Sequence, residues 1–377
     1  MPRIIFYNDA QIFGGHEVMT LHIVESLLNS GNVLSFMYYV GNSRLHAELI
    51  HLAQKFEHKL ILVPVNVRSG HMQGVMSFFQ WYSLFKLYKL LRGKFDLICA
   101  SQGDIEISSR VLLVAKLAQI KLVSYIPGDF MPFELGLPLS NVRNFFAKTL
   151  YKMPNKFITI SNFFASGLIR RSGLSIEDIH VIENAVKFEH HNQTSEKLSV
   201  IYPVLGMIGE INKRKNQQFV IEWLRLNPQF NGVVHMVGDG PLMMSIEQQI
   251  ISYNLCDKVK LLGWCDNTAE LMSCMDVLLI PSLVEGVPLV MLEASMMRIP
   301  ILATDGFGMA DLLPPEMRFR LNDYDDFSLK LTDLLQKKEF TTRMVADNYR
   351  RVKINNSFLH FKDRTVKVFT KIIADLL

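Results

Sequence analysis

Four short stretches of this sequence place polar or conformationally special residues directly after apolar runs. The first is Phe13-Gly14-Gly15-His16-Glu17. Two glycines let a backbone approach a ligand closely, and the helical spacing that follows offers unsatisfied N–H groups and a positive dipole end. The combination suits a phosphate, or simply a tight strand-to-helix turn. It is not the dinucleotide fingerprint G-x-G-x-x-G. No G-x-x-x-x-G-K-[ST] occurs anywhere, which disfavours a P-loop nucleotidase.

The second stretch, residues 280–294, reads I-P-S-L-V-E-G-V-P-L-V-M-L-E-A. Glu285 and Gly286 fall in the expected loop. Val287-Pro288 look like a helix start, with Pro in the first turn where its missing N–H costs nothing. N–H groups near Val287–Leu289 would then point at whatever lies beyond the strand. Glu293 falls about two turns into that helix, roughly 12 Å along the axis from Glu285 if all of it were helical. Two acids so far apart cannot act on one atom, but they could hold two hydroxyl-rich ends of one ligand. A surface Glu and a helix-dipole Glu are the plainer alternative. The third stretch is Gly209-Glu210-Ile211-Asn212-Lys213-Arg214-Lys215-Asn216. Three consecutive cations beyond a strand could clamp a diphosphate, or form a solvated face. The fourth, Val237-Gly238-Asp239-Gly240-Pro241, is a turn signal whose ligand contacts would go through backbone.

Strands and helices must alternate to position these loops. β-rich apolar runs occupy residues 3–7, 33–40, 60–64, 95–100, 121–126 and 156–160. Helical periodicity lies between them, for example over 18–28, 78–91 and 111–117. Strands apolar almost throughout imply a parallel sheet covered on both faces. The pattern restarts with residues 203–209, 232–237, 258–262, 276–280 and 299–303. Polar residues 187–197 between the two series read as a linker. After Tyr324 the chain reads as helical, ending in an amphipathic run over 358–377. The expected division is an N-terminal domain over 1–185, a linker over 186–199, a second domain over 200–357 and a terminal helix returning to the first. In such sheets ligands bind beyond the carboxyl ends of the strands.

Length and composition agree. The chain's 377 residues are too many for one ordinary core, and 49% hydrophobic with 20% charged residues is globular rather than disordered. A net charge of +4 is too mild to argue for nucleic acid, and none is expected as a partner. Residues 1–184 hold 18 Lys+Arg against 13 Asp+Glu, so the first domain is the basic one. Cys99, Cys256, Cys265 and Cys274 form no C-x-x-C pair, which excludes a disulfide framework and disfavours zinc. They read as inert core thiols in a reducing compartment. The N-terminal apolar run is too short for a signal peptide, and no stretch reaches 18 residues without charge. The chain is expected in the cytoplasm, or attached peripherally to a membrane.

Together these motifs resemble the retaining nucleotide-sugar glycosyltransferases of family 4, with the GT-B fold. The strongest match is Glu285 to Glu293, similar to the family's E-x7-E signature. Gly14-Gly15, Ser161 opening a helix, Asn184, Gly209 with Lys215-Asn216, Gly238-Asp-Gly-Pro241 and Gly263 follow the family's order. The resemblance implies α/β architecture: two Rossmann-like, doubly wound parallel-sheet domains facing across a cleft, with C-terminal helices. It implies catalytic roles for Glu285, at the donor sugar, and Lys215, at the leaving diphosphate. It implies donor binding by Gly14, Gly15, Gly209, Arg214, Gly286, Val287, Pro288, Leu289 and Glu293, the last on the ribose hydroxyls. No cofactor or metal is expected; cations would stabilise a UDP- or GDP-linked leaving group. Two departures stand out. Glu210 replaces a common Arg, with Lys213 or Arg214 as substitutes. The loop Tyr125-Ile-Pro-Gly-Asp129 lacks a common His, with His16 or Asp129 as substitute contacts to sugar or acceptor.

The resemblance places the acceptor on the first domain. Residues 81–94 (WYSLFKLYKLLRGK) and 142–152 (VRNFFAKTLYK) mix aromatics with cations, as interfacial helices do, or as ordinary helices with snorkelling lysines. With the basic first domain they suggest peripheral attachment to an anionic inner membrane. The acceptor would then be a glycan or lipid-linked glycan, in bacterial-type surface polysaccharide or lipopolysaccharide assembly. A nucleotide-sugar epimerase of the same fold, or a non-catalytic nucleotide-sugar-binding scaffold, is the alternative.

Overall fold

The first apolar run, Ile4–Asn8 (β1), is buried at every position, as a strand covered on both faces must be. In a computed structural model describing residues 2–70, 72–135, 137–187, 202–265, 267–306 and 308–377, it is an inner strand of a parallel sheet. The companion strands are Leu34–Tyr39 (β2), Leu60–Val65 (β3), Leu97–Ser101 (β4), Lys121–Tyr125 (β5), Lys156–Thr159 (β6) and Ile179–Val181 (β7). Their order is β3-β2-β1-β4-β5-β6-β7. In register, Phe6 lies opposite Phe36 on one side and Cys99 on the other.

The second sheet uses Val204–Ile208 (β8), Val233–Val237 (β9), Val259–Gly263 (β10), Val277–Ile280 (β11), Ile301–Thr304 (β12) and Arg318–Phe319 (β13). Its order is β10-β9-β8-β11-β12-β13, again parallel. The expected doubly wound α/β architecture is present in both units. Strands β7 and β13 were not legible: two or three residues are too few to show a period. β13 is held by aromatic packing, with Phe319 centred 5.4 Å from Phe219 and 5.0 Å from Phe327.

Residues 1–184 with 359–377 form one compact unit, and 185–358 the other. Most of the expected linker, from residue 188 to 199, lies outside the described residues. Val186, the first residue of that expected linker, bridges to Ser357 in the second unit. The helix Phe358–Leu376 buries Phe361, Thr365, Phe369 and Ile372 along one face. Phe369 meets Phe6 at 6.0 Å between ring centroids. Burying such a ring stabilises by about 1.5–3 kcal/mol. Asp375 of the same helix lies 2.9 Å from the buried Lys156 Nζ, which also reaches Asp178 at 3.1 Å.

Local signals set the helix ends. Ser161 caps the helix Asn162–Ser172 by accepting the Phe164 N–H, and Gly173 at φ +76° ends it. The cysteines correct one expectation. Cys99 is a buried strand thiol whose pKa burial pushes up, whereas Cys256 and Cys274 are exposed.

Candidate active site

In each sheet the strand order reverses beside the first strand, at β1/β4 and at β8/β11. Loops leaving the carboxyl ends there flank a crevice. The four sequence motifs fall on these loops or the next one outward.

In the second unit, the loop after β8 and the loop after β11 are tied together. Leu283 N–H donates to the Arg214 carbonyl at 2.8 Å, and Asn216 Nδ2 donates to the Pro281 carbonyl at 3.1 Å. Asn216 adopts a left-handed conformation, φ +56°, a region Asn tolerates better than most residues. The tie brings together side chains about seventy positions apart. Arg214 Nη1 lies 2.5 Å and Lys215 Nζ 2.7 Å from the same Glu285 Oε1. Glu285 is 8% exposed. Burial alone would raise its pKa, but Lys215 and Arg214 outweigh burial and hold the carboxyl below its ordinary value.

Gly209 sits under this cluster with φ +141°. A β-carbon there would lie 3.2 Å from Lys215 Cε, so glycine gives the lysine its path. Its N–H already donates to the Val237 carbonyl at 2.9 Å, which makes Gly209 a shaper of the loop rather than a donor to a ligand. Glu210 is exposed and accepts from Asn212 Nδ2 at 2.7 Å, while Asn212 Oδ1 accepts from Lys215 N–H at 2.9 Å. Lys213 is exposed and has no ionic partner among the described residues.

The helix after β11 begins later than the sequence suggests. Pro288 is its cap residue, extended at φ −62° and ψ 135°, and the helix is Leu289–Met296. A proline ring satisfies the φ of either position, so the two starts look alike in sequence. Residues 285–288 are therefore loop, and Glu293 lies only just beyond the first helical turn. Pro288 itself has no N–H, so donors here begin with the first-turn amides of Leu289 and Val290, which lack intrahelical acceptors. Gly308 packs on Gly286: a β-carbon at Gly308 would come 2.6 Å from the Gly286 carbonyl oxygen. Burial raises the pKa of Glu293, and its carboxylate has no hydrogen-bonding or ionic partner among the described residues.

In the first unit, Gly14 caps the helix Gly15–Asn29. Its N–H donates to Glu17 Oε2 at 2.8 Å, so this amide is engaged and Gly15 presents the next. The fully buried Glu17 also accepts Asn8 Nδ2 at 3.2 Å, and His16 Nε2 lies 2.5 Å from its Oε1. The imidazole fits because residue 103 is glycine; a β-carbon there would come 2.9 Å from His16 Cε1. Gly14, Gly15 and His16 lie at the start of the helix after β1, at the β1/β4 switch point. Asp129 does not join them. It is buried, paired to Arg171 Nε at 2.9 Å, and packed on Gly167, so its carboxylate is engaged within the unit.

Sequence reasoning missed the buried polar cluster behind this loop. Asp9 Oδ2 accepts Arg110 Nη1 at 3.1 Å and Tyr7 OH at 3.0 Å, and Asp9 Oδ1 accepts Ser108 N–H at 3.0 Å. Arg110 also reaches Gln73 and Gln80. Its one sequence signal is an aspartate directly after an apolar strand. Among the described residues no group of three or more His, Cys, Asp or Glu is placed to hold a metal ion.

Comparison with known families decides what this geometry belongs to. The glycosyl transferases group 1 profile matches residues 191–351, and the Glycosyltransferase Family 4 profile matches residues 13–190. The chain is a family 4 glycosyltransferase. Among relatives of this glycosyltransferase, the UDP-Gal:alpha-D-GlcNAc-diphosphoundecaprenol alpha-1,3-galactosyltransferase of Escherichia coli is 26% identical over 67% of each chain. The phosphatidylinositol N-acetylglucosaminyltransferase gpi3 subunit of Schizosaccharomyces pombe is 27% identical over 59% of this chain. There the glycosyltransferase spans only half of its relative's length. The crystal structure of Anabaena HepE in complex with UDP-glucose superposes with a TM-score of 0.79 at 15% identity, covering 98% of this chain and all of that one. At that identity the likeness speaks for the GT-B fold.

Proposed function

We propose that this glycosyltransferase moves a hexose from a nucleotide diphosphate sugar to a lipid-linked glycan, with retention and without a metal ion. The observation that carries this reading is the Arg214–Lys215–Glu285 cluster at the β8/β11 switch point, with Glu293, which has no partner among the described residues, on the adjoining helix. Two cations beside a helix N-terminus offer the charge that a leaving diphosphate needs. Glu293 is an acceptor for the ribose diol, and Glu285 for a donor-sugar hydroxyl. In the reaction the anomeric C–O bond breaks with its electron pair passing to the diphosphate. The acceptor hydroxyl attacks the same face, and its proton goes to the departing phosphate oxygen. Lys215 and Arg214 hold the charge that develops there.

The relatives support the substrate classes: one is named for UDP-galactose and a diphosphoundecaprenol acceptor, and a structural neighbour carries UDP-glucose. A lipid-linked acceptor implies work at an anionic cytoplasmic membrane face. No helix among the described residues is long and apolar enough to cross a membrane, so attachment would be peripheral. The test is incubation with UDP- and GDP-sugars, with and without a lipid-diphosphate-linked sugar and with a chelator. Nucleotide release, product mass and anomeric configuration are read. Release that survives chelation, with the α-configured donor giving an α-linked product, is expected. Tight donor binding with no release would overturn the reading in favour of a binding scaffold.

A further inference from the structure

We infer that the first unit carries a built membrane-docking face, formed by the helix from Trp81, the phenylalanines just before it and the middle of the helix from Ser140. It rests on the proposed lipid-linked acceptor for its purpose, and on the residues alone for its location.

The helix Trp81–Leu91 buries Leu84, Leu87 and Leu91 and turns the opposite face outward. On that face Trp81 is 73% exposed, Tyr82 82% and Phe85 56%. The helix Ser140–Leu150 does the same, burying Ala147 and Leu150 while Phe145 is 70% exposed. The two sets of aromatics adjoin. Phe146 is centred 5.0 Å from Phe78 and 6.2 Å from Phe79, and Phe145 stands edge-on to Phe146. The exposed Phe133 is tied to the same place, its N–H donating to Asn144 Oδ1 at 3.2 Å. Large rings this exposed and this close form a patch of the kind that marks an interaction surface.

Charge selects the partner. Residues 58–95 carry six lysines and arginines and no aspartate or glutamate. Residues 135–176 carry another six and again no acid. Some of these cations are committed inside the unit: Arg143 to Glu106, Lys156 to Asp178 and Asp375, Arg171 to Asp129. The others are not. Lys86, Lys89, Arg92 and Lys94 follow the aromatics of the first helix, and Lys148 and Lys152 follow those of the second. All six are exposed and lack a carboxylate partner among the described residues. In each stretch the exposed rings come first and the exposed cations follow them. A protein partner would bring acidic and apolar side chains matched in shape. A phospholipid surface instead offers a continuous sheet of negative headgroups over hydrocarbon. Interfacial aromatics with flanking lysines suit that layering. The occupant is an anionic bilayer, with the rings at headgroup depth.

Sedimentation of the full chain with phosphatidylglycerol vesicles, against phosphatidylcholine vesicles, tests this. Wild type should bind the anionic vesicles and release with salt. Trp81→Ser with Phe145→Ser should bind at least about tenfold more weakly at every salt concentration. Lys86→Gln, Lys89→Gln and Lys148→Gln together should cost about a hundredfold at low salt, and flatten the salt dependence. All these positions are exposed, so unchanged melting temperatures are expected. Equal vesicle binding by the aromatic variant would overturn the inference, as would a wild type that binds neither vesicle. A wild-type dimer that the aromatic variant dissolves, without vesicle binding, would assign the face to a second copy instead. Donor turnover on a short, water-soluble acceptor is measured on the same preparations. Vesicle binding without turnover would sink the enzymatic reading and leave the docking face standing; turnover without vesicle binding would do the reverse.

Discussion

Replacing Glu293 with glutamine should make the empty protein more stable and the nucleotide complex weaker. The glutamate is half-buried with no hydrogen-bonding or ionic partner among the described residues, and burial raises its pKa. A buried polar group left unsatisfied costs about 1–3 kcal/mol. For a half-buried carboxylate the low end of that range, about 1 kcal/mol, applies; glutamine keeps the shape and removes the charge, so the unit that holds it should melt about 2–4 °C higher at neutral pH. The sign of the pH dependence follows from the raised pKa. Below about pH 4 the carboxyl is protonated in both folded and unfolded chains, and wild type and variant should then be equal. As pH rises past that value the unfolded chain ionises first. Wild type therefore loses stability relative to the variant until the folded carboxyl has ionised too. Binding should move the other way. If ribose hydroxyls donate to this carboxylate, the variant loses about one charge-assisted hydrogen bond, about 1.5–3 kcal/mol, or roughly 10- to 100-fold in Kd for UDP. Calorimetric titration with UDP and thermal melts from pH 4 to 8 read both effects. A variant that melts lower than wild type and binds UDP equally well would refute the reasoning.

Glu285→Gln should act oppositely on stability. Its pKa is lowered in the fold, so its contribution is present at neutral pH and fades only as pH falls from the ordinary carboxylate value of about 4.3 through the lower folded pKa; melts of wild type and variant should stay apart from pH 7 down to about pH 5 and draw together below that. Lys215→Ala should lower the transfer rate more than it weakens donor binding, and equal kcat in variant and wild type would remove the lysine from the chemistry. Arg110→Met strands the buried Asp9 carboxylate, which should cost about 3–5 kcal/mol by denaturant titration. Gly238→Ala forces a side chain onto a residue at φ +135° and against the Gly209 carbonyl; a loss of at least about 2 kcal/mol is expected, and an unchanged melting temperature would contradict it.

What the sequence disclosed was what is written locally. Periodicity gave the two sheets, and the turn residues after the strands marked the loops at both switch points. Asn216 and Gly209 could be suspected because their side chains, or lack of one, serve the backbone on the spot. What stayed hidden depends on partners far along the chain. Nothing near residue 285 says that Arg214 and Lys215 converge on its carboxylate. Nothing near Asp129 says that Arg171 and Gly167 will seal it. Gly14 looked available because Glu17's reach back to its N–H is a matter of rotamer. The onset of the helix at Leu289 was ambiguous because proline fits two adjacent positions.

The terminal helix Phe358–Leu376 completes a sheet whose first strand begins at Ile4, and this sets an order of events during synthesis. The face of β1 that receives Phe369 is made early, yet its cover emerges only after the whole second unit. At roughly 5–20 residues per second, the interval from residue 184 to residue 369 lasts about 10–40 s. Through that time the part of β1 that packs on Phe369 lacks that contact, while the second unit is made as one contiguous stretch that ends at Phe358. The nascent protein therefore has its later-made half finished first. The ordering of the first unit waits on a contact more than 360 positions long, the kind that folds slowly and invites chaperone capture.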